Sequence, residues 1–343
     1  MTRRDRGTSF ARRLWPLPVA VLALAGCGGP QNALDPHSHP AHDIANLFWW
    51  MTGGAFVGLG LVVGLLVLSW LRRDTRGLPP DPDDPHPGEK AGWTVVVGLG
   101  VGLALATVIA VFVVSAQMLK VTQAPAASST ALTIQVVGHQ WWWEIRYPGT
   151  TAVTANELHI PVGTRVNLVV GTADVIHSFW VPELNRKIDT IPGKKNRILL
   201  YADAPGVYRG ECAEYCGLQH AHMSLKVFAQ PPAQFRAWLA NEAKPARAPT
   251  TALQRKGEQV VLNGPCSSCH TLRGTSASGY LGPDLTHLAG RTTLGAVTIP
   301  NRKGYLGGWI LDSQHVKPGN EMPDVDLTGP QLQAVLAYLE SLK

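Results

Sequence analysis

"GECAEYCGLQHAHMSLKVF", Gly210 to Phe228, places two cysteines, two histidines and a methionine in one loop that runs into a β-rich segment. Thiolates, imidazoles and a thioether are soft and borderline donors, which favours copper over magnesium or calcium. Two Cys with two His also compose a zinc site, although Cys212 and Cys216 are spaced unlike the usual knuckle pair. A Cys212–Cys216 disulfide is the third reading in an exported chain. The segment upstream bears on the choice. In "ADVIHSFWVPEL" His177 stands in an apolar, strand-like setting. Alone it reads as a packed core histidine; with the late loop it reads as a ligand, in the arrangement that copper-binding sandwiches use.

The runs "LTIQVV", "RVNLVV", "NRILLY" and "MSLKVF" are rich in β-formers and are separated by turns such as "PVG" and "IPG". They predict a small antiparallel sandwich or barrel, a cupredoxin-like all-β domain over 131–230. "PAQFRAWLANEA" predicts a helix and "KPARAPT" a linker, together 231–250. Beyond them "TALQRKGEQVVLNG" and "TGPQLQAVLAYLESLK" predict helices around a loop-rich centre, an all-α domain over 251–343.

The 343 residues, with a net charge of +6 and 45% hydrophobic residues, suffice for two ordinary domains and membrane segments. Arg3, Arg4, Arg6, Arg12 and Arg13 precede a short apolar run ending in "LAGC". Residues 1–26 therefore read as a secretory signal, too short to span a bilayer. The "LAGC" ending resembles a bacterial lipoprotein box, which would make Cys27 the lipid-bearing residue; the alternative is a free cysteine in an uncleaved leader. A periplasmic leader, 27–43, follows. Segments 44–71 and 93–119 lack acids and bases and each exceeds the ~20 residues that cross a bilayer. They predict a two-helix transmembrane hairpin. The 72–92 loop carries Arg72, Arg73, Arg76 and Lys90, so the positive-inside rule puts it in the cytoplasm and both termini outside. Trp49, Trp50 and Trp93 read as interface anchors. No nucleic-acid partner is expected.

"CSSCH", Cys266 to His270, has the spacing of covalent c-type haem attachment: two thioethers hold the porphyrin edge while the adjacent histidine reaches iron. Met322, the one methionine after the motif, is the candidate second axial ligand, with His287 and His315 as competitors. A Met/His pair raises the reduction potential and suits electron transfer. In "GHQWWWEIRYP", three tryptophans read as one strand would alternate between faces. Trp142 is assigned to core packing, and Trp141 or Trp143 to an interface or to a route for an electron.

With "GHQWWWE", "DVIHSFWVP", "IPGKKN", "GECAEYCGLQHAHM" and the "CSSCH" module following in this order after a helical hairpin, the sequence resembles subunit II of haem-copper cytochrome c oxidases carrying a fused class I cytochrome c domain. The resemblance implies a binuclear copper centre with bridging Cys212 and Cys216, terminal His177 and His220, a weak axial Met223 and the Glu214 backbone carbonyl opposite it. His222 is not among the implied ligands and is expected to face outward. The Glu214 carboxylate would reach a magnesium ion at the subunit boundary, and Trp141 matches the tryptophan at which electrons enter. Implied partners are catalytic subunit I, subunit III, cytochrome c or another donor, and membrane lipid, in a bacterial inner membrane with the copper and haem domains outside.

Two departures stand out. Arg146 occupies a position where members that dock soluble cytochrome c carry an acid, and residues 139–232 hold nine Lys/Arg against eight Asp/Glu. Long-range steering of a basic donor is then weak, and a tethered haem supplied through the linker at high local concentration is the expected source of electrons. An acid that feeds a proton pathway in relatives has only Glu89 nearby, with Lys90 in register. The expected function is electron input to a proton-translocating terminal oxidase whose oxygen chemistry lies in a partner; the competing reading is a stand-alone membrane-anchored haem/copper carrier or a copper-domain reductase.

Overall fold

The computed structural model describes residues 29–72, 89–122, 130 and 132–343. The signal segment, Cys27 and the loop between the predicted spans at 73–88 lie outside the described residues, as do the side chains of Glu89 and Lys90. Two helices come first, α1 His39–Arg72 and α2 Glu89–Thr122, both long and apolar enough to cross a membrane. Their faces leave Phe56, Leu66, Trp93 and Phe112 exposed, a surface that water does not favour and lipid does.

α1 begins ahead of the predicted 44 because Ser38 caps it, its Oγ accepting from Ala41 N at 3.1 Å and donating to Leu184 O. The backbone beside it is tied to the β-domain: His37 N donates to Glu183 O and His37 O accepts from Asp203 N, while the exposed His39 and His42 rings lie 4.0 and 3.7 Å from the Asp203 carboxylate.

Ten strands then build a two-sheet sandwich: β1 Leu132–His139, β2 Trp142–Arg146, β3 Val153–Ala155, β4 Glu157–Pro161, β5 Val166–Thr172, β6 His177–Trp180, β7 Ile188–Thr190, β8 Asn196–Leu200, β9 Gly206–Cys212 and β10 Ser224–Gln230. The sheets run β3-β2-β1-β5-β8 and β4-β10-β9-β6-β7. The expectation of a purely antiparallel sandwich is corrected, since β1 pairs with β5 and β4 with β10 in parallel. Each parallel pair joins strands far apart in the chain, which leaves room for the crossover that parallel pairing needs. Alternation turns Ile134, Val136, Trp143, Ile145, Leu158, Ile160, Leu168 and Val170 inward, all fully buried.

The tryptophan run is not one strand. β1 ends at His139 and β2 starts at Trp142, with His139 opposite Trp142 in register. The core tryptophan is therefore Trp143, one position on from the residue assigned to it, while Trp142 stacks on His139 with centroids 4.3 Å apart.

After α3 Pro232–Glu242, the C-terminal module contains α4 Ala252–Asn263, α5 Cys266–Cys269, the hairpin β11 Thr293–Leu294 with β12 Ile299–Pro300, α6 Lys303–Leu311, α7 Ser313–Val316 and α8 Gly329–Leu339. Thr251 and Gln254 close a capping box at the start of α4. α4 crosses α8 at Gly257, where a Cβ would come within 1.9 Å of Ala334 O; no side chain fits that crossing.

The predicted linker is a packed strap between the modules. Ala246 N donates to Arg273 O at 2.7 Å, and Lys244 O meets His287 Nε2 at 3.1 Å. Arg273 reaches three ways: to Asp284, to Glu242 O and to Thr151 O of the sandwich. The buried Glu157 carboxylate on β4 accepts from the backbone N–H and hydroxyl of both Thr292 and Thr293. A carboxylate with several such donors is well compensated for burial.

Glu242 is not. Its Oε1 is buried with no partner among the described residues, and burial pushes its pKa up to about 7 against the pull of Arg291 and Arg273. A carboxyl whose folded pKa lies above its unfolded value stabilises fully only below the unfolded value, so this contribution declines as pH rises from about 4.5 toward 7 and stays lost above that. The melting temperature of the chain is expected to fall more between pH 5 and pH 8 than that of Glu242→Gln; equal slopes in calorimetry would exclude Glu242 as the cause.

Candidate metal centre and haem site

β9 delivers Cys212 at its end, and a loop with one 3-10 turn over His220–His222 returns the chain to β10. Within this loop the donor atoms converge. Cys212 Sγ and Cys216 Sγ lie 3.8 Å apart, too far for a disulfide at about 2.0 Å, and both cysteines are free. His177 Nδ1 sits 3.9 Å from Cys212 Sγ, and His220 Nδ1 sits 3.7 Å from Cys216 Sγ, so the imidazoles approach different sulfurs. Met223 Sδ is 3.8 Å from Cys216 Sγ, and Glu214 O is 3.2 Å from Cys212 Sγ. His177, Cys212 and Cys216 form the group among the described residues whose donors all fall within 4.8 Å of one another.

This set fits copper in its chemistry: two thiols, two imidazole nitrogens, a thioether and a carbonyl, each of the last four within 3.9 Å of a cysteine sulfur. The electrostatics agree. The neighbouring Cys216 thiol holds Cys212 low, toward the thiolate, and the same contact pushes Cys216 up. Burial works to lower His177, but its bonds to Asp174 and Cys212 outweigh that and raise it.

Three residues the sequence reading did not single out build this geometry. Asp174 Oδ1 lies 2.8 Å from His177 Nε2, leaving Nδ1 for the sulfur side. Asp174 is itself fixed by the Gln140 and Val175 N–H groups. Its place three residues before the histidine in "ADVIH" was the available signal. Gly138 leaves space for the ring, since a Cβ there would stand 2.8 Å from His177 Cδ2. Lys317 carried no local signal; it comes from the other module.

Trp141 lies over the loop and is buried, with Nε1 donating to Cys216 O at 2.9 Å. The C-terminal module reaches its backbone. Lys317 Nζ donates to Trp141 O, His222 O and Gly295 O at 2.7, 2.8 and 3.2 Å. Burial pulls Lys317 down to about 7, against the attraction of Cys216. His222 is exposed, its ring turned to Gln219 Oε1 at 2.7 Å, while His220 faces the sulfur. The Glu214 residue is exposed.

In the C-terminal module Cys266 and Cys269 open the short α5, and His270 follows at its cap. His270 Nδ1 donates to Pro283 O at 2.7 Å, which leaves Nε2 free for an iron, and burial lowers the ring's pKa and keeps it neutral. Gly282 packs under this ring; a Cβ would lie 2.5 Å from His270 Cε1. These features fit a haem joined at the two thiols. Met322 is fixed through its backbone, its N–H donating to Asn320 Oδ1 at 2.8 Å and its O accepting from Ser313 Oγ and Gln314 Nε2 at 2.8 and 3.0 Å. Of the competitors, His287 is tied to Lys244 O and His315 is exposed.

A family model described as cytochrome c oxidase subunit II, periplasmic domain, matches residues 150–229, and one described as cytochrome c matches 254–343. A protein named cytochrome c oxidase subunit 2 from Alkalihalophilus pseudofirmus is 34% identical over 97% of both chains. One of the same name from Bacillus subtilis is 27% identical over 95% of this chain and 96% of its own. A crystal structure of the periplasmic domain of subunit II of cytochrome oxidase from Bradyrhizobium japonicum, 30% identical, covers 35% of this chain and 96% of that one, with a TM-score of 0.33.

Because Asp174 fixes the tautomer and orientation of His177, Asp174→Ala is expected to weaken copper binding by about 10- to 100-fold. Titration of the purified domain with copper under competition from a chelator measures it; unchanged affinity would leave Asp174 without this role.

Proposed function

Because this chain belongs to the cytochrome c oxidase subunit 2 family, with a cytochrome c domain at its C-terminus, we propose that it is the electron-input arm of its oxidase. In this reading the chain takes up electrons at a covalent haem held by Cys266, Cys269, His270 and Met322. It hands them to a binuclear copper centre held by His177, Cys212, Cys216, His220, Met223 and the Glu214 carbonyl, and from there to a haem-copper subunit I that reduces oxygen to water with proton translocation. Subunit III, a bacterial inner membrane with both domains on its outer side, a lipid on Cys27 and a magnesium ion at the Glu214 carboxylate complete the proposal. The donor to the haem is cytochrome c or another carrier.

The convergence of two imidazoles on opposite sulfurs of a close thiol pair is the observation that carries this reading. Copper held by Cys212, Cys216, His177, His220 and Met223, and a haem held by Cys266, Cys269, His270 and Met322, would each supply one-electron redox chemistry here.

The chain's own residues do the rest. Cys212 and Cys216 supply the bridging charge, and Asp174 holds His177 with Nδ1 toward them. Met223, Leu225 and Phe179, all buried, keep water from the sulfurs. Pro283 O aims the His270 ring so that Nε2 is presented to the haem side. Trp141 stands at the Cys216 carbonyl, between the copper loop and the segment leading to Met322, and so offers an aromatic bridge between the modules. The near-equal numbers of acids and bases in the sandwich do not steer a charged donor to it; the attached module makes such steering unnecessary.

An EPR and near-infrared spectrum of the purified protein is expected to show delocalised mixed-valence copper beside low-spin haem c. A silent copper signal from fully copper-loaded protein with a Cys212–Cys216 disulfide would overturn the assignment.

A further inference from the structure

Lys317 is 3% exposed although it is a lysine in a polar loop, "QHVKPGNEMP". Among the described residues its Nζ meets three backbone carbonyls and no carboxylate. Three acceptors match the three N–H donors of an ammonium, one more than a neutral amine offers. Two of the acceptors, Trp141 O and His222 O, belong to the sandwich, on either side of the copper loop. The third, Gly295 O, belongs to the turn of the β11–β12 hairpin in Lys317's own module.

The same seam is reinforced on both sides of Lys317. Gln219 Nε2 donates to Pro318 O at 2.7 Å. Gly319, at φ +80°, lies so close to Leu218 that a Cβ would stand 3.0 Å from Leu218 Cδ1. At the other end of the hairpin, Thr292 and Thr293 are bound by Glu157. The hairpin is thus fixed at one end by a buried carboxylate and at the other by a buried ammonium.

We infer that Lys317 is the latch that docks the C-terminal module over Trp141 and the copper loop, positioning the segment that leads to Met322 and closing this face to any donor from outside. The inference rests on the electron-input reading above and goes beyond it by naming the residue that fixes the internal route. Lys317 acts through Trp141 and His222 and is a positioning residue. A flexible tether would leave Trp141 open for most of the time; a latch keeps it covered. Because the acceptors are carbonyls, the closure does not depend on a surface ion pair and is expected to resist salt.

The test uses the full-length protein in its purified complex, with Lys317→Met and Lys317→Arg beside the unaltered chain. Hydrogen exchange is followed over residues 139–143 and 217–223 in copper-free and copper-loaded preparations. The second readout is one-electron transfer from ferrous haem to the oxidised copper pair after flash reduction of the haem. Losing an ammonium with three acceptors is expected to raise exchange and slow transfer by at least about tenfold each in Lys317→Met. Lys317→Arg keeps the charge and is expected to restore part of both. Wild-type exchange, or wild-type transfer with faster exchange, in Lys317→Met would overturn the latch. If Lys317→Met does not assemble, Gln219→Ala opens the same seam and is judged on the same two readouts. The two levels of the argument separate: absence of mixed-valence copper in the unaltered protein defeats the electron-input reading, while exchange in the copper-free chain still decides the latch.

Discussion

Two buried sulfur atoms 3.8 Å apart, each with an imidazole nitrogen beside it, set the terms for the sandwich. Thiols so close in a dry interior cannot both ionise without a cation between them, and the opposed pKa directions of Cys212 and Cys216 express that conflict. The surroundings are arranged around it. β6 brings His177 in from one side, β9 delivers Cys212, and β10 begins directly after Met223. Gly138 is bare so that the His177 ring can enter the core beside Trp143, whose centroid is 5.8 Å away. The ligand-bearing loop is short, and both its ends are pinned by strands that pair with each other from Ser224 opposite Glu211 onward. A site held by rigid elements at both ends changes shape little when its charge changes, which is the property an electron carrier needs.

The second constraint is the seam between modules, and its chemistry differs from that of a typical surface contact. Glu157 and Lys317 are both nearly inaccessible, yet they do not pair with each other; Glu157 is satisfied by backbone and hydroxyl groups of the opposite module, and Lys317 by two backbone carbonyls across the seam and one in its own module. Arg273 likewise spans from Asp284 in its own module to backbone carbonyls across the seam. Buried charges compensated in this way are costly to strip and specific in geometry. The seam therefore fixes one orientation of the C-terminal module, whereas an apolar patch of similar extent would tolerate sliding.

The sequence was most informative where chemistry is local. The ligand loop, the haem motif, the two spans and most strands are each written in a few contiguous residues. The α4–α8 crossing follows from a helix pattern, though not the need for Gly257 at its contact point. What escaped was set by tertiary proximity. The break between β1 and β2 at residues 140–141 falls inside a run of strand-forming tryptophans, so alternation counted through the run assigned Trp142 to the core in place of Trp143. "KPARAPT" has a linker's composition, but Arg273 and His287, well downstream in the chain, convert it to a strap. His37 and Asp203 meet across more than 160 residues, beyond any local pattern.

Trp141 shows how the two constraints act together. It is 8% exposed and packs in the buried cluster of the sandwich, while its backbone is held from the C-terminal module. Its indole N–H is committed to Cys216 O within the copper loop, and its own carbonyl to Lys317 across the seam. The residue thus bonds to both modules at once. An exposed tryptophan in this place would serve any visiting donor and would depend on diffusional encounter for each electron. On the proposed electron-input reading, a residue tied to the attached module would serve a single donor, trading the choice of partner for a contact that is already made. The near balance of acids and bases in the sandwich is consistent with that trade: a surface with no visitor to attract has no need of a steering field.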